Sequence, residues 1–74
     1  MTENEQRAER AYRTILVYAQ YTNSEDETVE INMTDLITDL RHAADQYAVE
    51  WDEMLARVDT HYNAEVIGNE EVSS

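Results

Sequence analysis

Between Met33 and Val66 the chain reads MTDLITDLRHAADQYAVEWDEMLARVDTHYNAEV, and its apolar residues recur with the period of an α-helix. Leu36, Ile37, Leu40, Ala43, Ala44 and Tyr47 keep the i, i+3/i+4, i+7 spacing. At ~100° per residue this gathers them within an arc of roughly 100°, the width of a core-facing stripe. Asp35, Thr38, Asp39, His42, Asp45 and Gln46 fall on the other side, which should face water. Trp51, Met54, Leu55, Val58, Tyr62 and Val66 form a second stripe, with Glu53, Arg57, Thr60 and Ala64 pointing away. Glu53 and Arg57 stand i,i+4 with the acid first, the better order for a surface pair. The two stripes are out of phase across Tyr47-Ala48-Val49-Glu50, so a turn is expected there although it holds neither proline nor glycine. Asn32 is the expected cap of the first helix and Glu50 a weaker cap of the second, with Asp52 and Glu53 in its first turn. One unbroken helix through this point is the alternative.

Upstream, Ala8, Ala11, Tyr12, Ile15, Leu16 and Ala19 share a face, predicting a helix over residues 6–22, with Glu9 and Arg13 as an i,i+4 pair. Val17 and Tyr21 lie almost opposite that face, flanked by Thr14 and Tyr18. An apolar patch on the outer side of a helix needs a partner, and a homodimer through Val17, Tyr18 and Tyr21 is expected. Residues 23–30, NSEDETVE, read as an acid-rich connection, with a brief extended segment around Val29 and Ile31. Gly68 suits a helix C-terminus. The resulting division is a disordered start over 1–5, one helical domain over 6–67 and a disordered tail over 68–74.

The string DLITDLRHAADQYAVEWDEMLARVDTHYNAE resembles a pattern met in small uncharacterised proteins of phages, plasmids and other mobile elements. There a DLxxDLRH helix precedes a turn, an aromatic-acid-E-apolar-L helix start and an HYxxE ending. Asp35, Leu36, Asp39, Leu40, Arg41, His42, Trp51, Glu53, Leu55, His61, Tyr62 and Glu65 carry the likeness, over less than half of the chain. The turn of that pattern usually holds a glycine, where this chain has Ala48. The resemblance implies a mobile-element or host-conflict setting and brings no known activity.

Seventy-four residues make one domain at most, and a chain of that length buries only about 60% of its unfolded surface. Cysteine is absent, which excludes a disulfide framework and thiolate metal sites. The longest apolar run is Ile15-Leu16-Val17-Tyr18-Ala19, too short for a secretory or membrane-spanning segment, so a soluble cytoplasmic protein is expected. The formal charge is −12, and all five cations are arginines (Arg7, Arg10, Arg13, Arg41, Arg57). Direct nucleic-acid binding needs clustered cations, and an anionic membrane would repel the chain. Three readings of the acidity stay open: ordinary solubility, adaptation to a salty cytoplasm, or an acidic face for a basic partner.

Asp39/His42 and His61/Glu65 have spacings used by metal sites in helical bundles, which need those side chains in the bundle interior. His42 projects away from its stripe and His61 sits at the edge of its own, where a half-buried, hydrogen-bonded histidine is the commoner outcome. Glu27/Glu30 and Glu50/Glu53 have the E-x-x-E spacing of magnesium-dependent helical pyrophosphatases, without a lysine to hold phosphate. No serine–histidine–acid set, Walker loop or dinucleotide glycine motif is present. Tyr12, Tyr47, Trp51 and Tyr62 read as packing residues with a polar tip.

The expected fold is all-α, a three-helix bundle over 6–22, 33–47 and 51–66 with a C-terminal helical hairpin, paired as a dimer. The expected function is a non-enzymatic acidic interaction module without a cofactor or bound metal. In its most concrete form it is a mobile-element inhibitor or nucleic-acid mimic that occupies a basic host protein through Asp35, Asp39, Asp45, Glu50 and Glu53. A metal-dependent phosphohydrolase or metal-binding protein, and a salt-adapted structural dimer, are the alternatives.

Overall fold

The computed structural model describes the backbone of residues 1–73 and the side chains of residues 1–68. It is all-helical: α1 (Glu3–Tyr21), α2 (Val29–Gln46) and α3 (Trp51–Ser73), with no strand among the described residues.

Local chemistry fixes each boundary. Thr2 and Glu5 form a capping box, each side chain meeting the other residue's backbone N–H, so α1 begins at Glu3 rather than Gln6. The hydroxyl of Thr28 accepts from the N–H of Ile31 at 3.2 Å, which starts α2 at Val29. This corrects two expectations. Val29 and Ile31 lie in the first helical turn instead of an extended segment, and the cap is Thr28, not Asn32. Asn32 is instead buried, 4% exposed. Its Nδ2 donates to the Ser24 carbonyl at 3.1 Å and its Oδ1 accepts from the Ser24 hydroxyl at 2.6 Å. Both ends of one side chain thus latch α2 to the connection that follows α1.

The first two helices end alike. Asn23 and Ala48 have positive φ, 54° and 56°. Beyond them the N–H of Ser24 donates to Ala19 at 2.9 Å and that of Val49 to Ala44 at 2.8 Å. These are Schellman terminations, which satisfy orphan carbonyls and turn the chain sharply. The expected break over 47–50 is therefore present, with alanine holding the position glycine prefers. Glu50 occupies the start of α3 through its carbonyl, which accepts from Met54 at 2.9 Å. α3 runs past Gly68, so that residue does not end it. The tail expectation over 68–74 falls mainly outside the residues whose side chains are described.

α1 is the hub: it packs against both α2 and α3, which meet each other less. The molecule measures 42 × 31 × 15 Å, its least dimension little more than one helix with its side chains. Its radius of gyration is 14.6 Å, against about 11 Å for a compact globule of this length. Among the described residues the buried ones are correspondingly few: Ile15, Ala19, Ala44 and Asn32. Each predicted stripe is covered along part of its width and open along the rest. Tyr12, Tyr47 and Tyr62, expected as packing residues, are exposed.

Two substitutions test this account by urea denaturation at fixed protein concentration. Ala48→Gly relieves a left-handed alanine and should stabilise the fold by about 1 kcal/mol. Asn32→Ala strands the Ser24 groups and should destabilise it by about 1–3 kcal/mol.

Candidate functional site

Asp35 and Asp39 stand one helical turn apart on α2, Asp45 near its end, Glu50 in the turn and Glu53 in the first turn of α3. All five are exposed. Among the described residues the ion pairs all involve α1. Arg7 meets Glu65 at 3.0 Å and Glu3 at 3.7 Å, and Arg13 meets Glu9 at 3.1 Å as the sequence spacing predicts. The expected Glu53–Arg57 pair is not among them. Among the described residues, the acids of α2 and early α3 thus have no cation at ion-pair distance. Arg41 instead lies over the Trp51 ring, 5.5 Å from its centroid, a cation–π contact across the turn. Both residues line a shallow, mainly polar cleft of about 280 Å³ that also holds Asp45 and Glu50.

The residues expected to bind partners are spread over α1, α2, the turn that follows α2 and the start of α3. Val17 and Tyr21 are exposed on α1, Tyr21 at 84%. Tyr18 is only half exposed and turns toward α2, where its hydroxyl donates to Asp39 Oδ2 at 2.5 Å. Tyr18 and Asp39, each expected to bind a partner, are therefore bonded to each other. The hydrogen bond to Asp39, with some desolvation and the negative charge of Asp39 and Asp35, pushes the Tyr18 phenol up to about 12. Ionising it would place a second negative charge against a carboxylate and lose a strong donor. Glu5 moves the other way: its bond from the Thr2 backbone N–H holds its carboxyl below the usual range.

The metal-type spacings do not converge. Asp39 is engaged by Tyr18 and Glu65 by Arg7, while His42 and His61 are both exposed, His61 against the expectation of half burial. No cluster of three or more histidine, aspartate or glutamate side chains able to hold a metal ion occurs among the described residues. No helix there is long and apolar enough to cross a membrane.

No protein-family model, curated protein or solved structure matches the chain. Two features of the surface have no counterpart in the periodic pattern of the sequence. The Arg41–Trp51 contact joins residues ten positions apart across a turn, which no periodic pattern signals. The other is an open apolar groove of about 400 Å³ between α1 and α2, floored by Ala11, Ile15, Met33, Leu36 and Ile37. It exists because α1 and α2 cover only part of each other's stripes.

The phenol–carboxylate bond sets a pH dependence at the alkaline end. Because the folded-state value of Tyr18 is raised from 10.0 to about 12, its contribution is complete below the unfolded value and lost as pH rises through the folded one. Ultraviolet titration of the tyrosines should show a step near pH 12 that Tyr18→Phe and Asp39→Asn each abolish.

Proposed function

We propose that the chain is a non-enzymatic, acidic protein-interaction module that acts as a homodimer in the cytoplasm and binds a basic protein along α2 and the start of α3. The carrying observation is the absence of ion pairs at Asp35, Asp39, Asp45, Glu50 and Glu53 among the described residues. Charges neutralised locally contribute little to a distant partner, whereas unpaired ones steer encounter and complement a positive surface. The formal charge of −12 makes a basic groove the natural complement. The DLxxDLRH resemblance gives the reading its concrete form, a mobile-element inhibitor that competes with nucleic acid for such a groove.

Retention of partners from host lysate at two salt concentrations tests it. A basic protein should be held at low salt, lost at high salt and displaced by duplex DNA, because exposed charges act over only about 10 Å at 0.1 M salt. Combining Asp35→Asn, Asp45→Asn, Glu50→Gln and Glu53→Gln should weaken retention at least ~10-fold. A partner indifferent to salt, DNA and these changes would sink the reading.

A further inference from the structure

Every residue of α3 from Leu55 to Ala64 is exposed, including Leu55, Val58 and Tyr62 on the predicted stripe. Leu55 is 40% and Val58 50% exposed, so the apolar strip of this stretch gains only part of the stabilisation that full burial would supply. Elsewhere in the molecule the α1–α2 groove presents the opposite shape, a concave apolar strip with Met33 and Ile37 half open. One ridge lacks a groove and one groove lacks a ridge.

Their charges also match. Arg7 and Arg10 border the groove, and Arg10 has no ion pair among the described residues. On α3, Asp52 and Asp59 stand i,i+7 along one edge of the Leu55/Val58/Tyr62 strip, both exposed. Arg7 is already held by Glu65 and Glu3 of its own chain, so Arg10 is the rim cation that the acidic edge of the ridge would meet.

Area sets the occupant. The chain exposes 6209 Å², where a compact monomer of its mass exposes about 4,700 Å². The excess of about 1,500 Å² is spread over the whole chain, and covering half of it on each of two copies would bury about 1,500 Å² together, the size of a standard specific interface.

We infer that two copies pair reciprocally, the middle of α3 from each lying in the α1–α2 groove of the other. This deepens the homodimer part of the proposed function and is independent of the acidic surface. A two-fold pairing suits it, because each chain supplies one ridge and one groove, so the contact is satisfied on both copies at once. It also moves the interface from Val17 and Tyr21, which stay outside, to Ile37 and Val58.

The chain has no cysteine, so disulfide trapping reads the contact directly. Ile37→Cys and Val58→Cys chains, each first shown to sediment like the unmodified protein when reduced, are mixed and oxidised. Disulfide-linked pairs containing one chain of each kind are expected. Like-with-like links alone would overturn the reciprocal seating while leaving a homodimer. A monomer at tens of micromolar by sedimentation would overturn pairing altogether, yet leave the salt-dependent capture of a basic partner to stand or fall on its own. Arg10→Glu should weaken association at least tenfold at low salt and much less in molar salt. Unchanged association at low salt counts against the seating.

Discussion

Apolar coverage is the constraint from which the other properties of this structure follow. Three helices in one layer give each stripe a neighbour on its flank, but nothing above or below. Ile15, Ala19 and Ala44 are enclosed, while Leu16, Ile37, Leu40, Leu55 and Val58 are each at least 40% exposed. At roughly 25 cal/mol per Å² of apolar surface buried, such half-exposed side chains deliver only part of their potential stabilisation. The entropy of ordering the chain is undiminished.

What the thin packing lacks, polar junctions partly replace. α1 is joined to α2 by the Asn32–Ser24 latch and the Tyr18–Asp39 bond, and to α3 by Arg7–Glu65 and by Asn4, whose Nδ2 donates to the Glu65 carbonyl at 3.1 Å. The burial of Asn32 strengthens its hydrogen bonds and makes their loss expensive. The more exposed Arg7–Glu65 bridge is worth at most about 1 kcal/mol. Directional bonds therefore set where the helices sit, and apolar contact supplies a modest share of the adhesion.

The helices were legible because their stripes keep strict spacing, and the turn over 47–50 was legible as a phase break. The third helix starts at Trp51 as the pattern predicts, whereas the first two start earlier than it predicts, although capping signals mark them: Thr2 with Glu5 three residues on, and Thr28 ahead of Glu30. Asn32 resembled a cap because asparagine favours caps, and only the fold shows its side chain reaching back across eight residues to Ser24. The exposure of Asp35, Asp39, Asp45 and Glu53 followed from helical phase alone, and that of Glu50 from its place in the turn. The Tyr18–Asp39 bond and the α1–α2 groove did not, since both depend on how one helix lies against another. Periodicity assigns a face to each helix without naming the face that covers it.

A body only 15 Å through encloses little: among the described residues, Ile15, Ala19, Asn32 and Ala44 are its interior. Water reaches within a side chain's length of nearly every group, so the local dielectric stays high and charges are cheaply solvated. A second surface closing over this one would change that, drying the groups it covers and sharpening their electrostatics. Whatever selectivity the slab possesses thus resides in contacts it makes with another molecule.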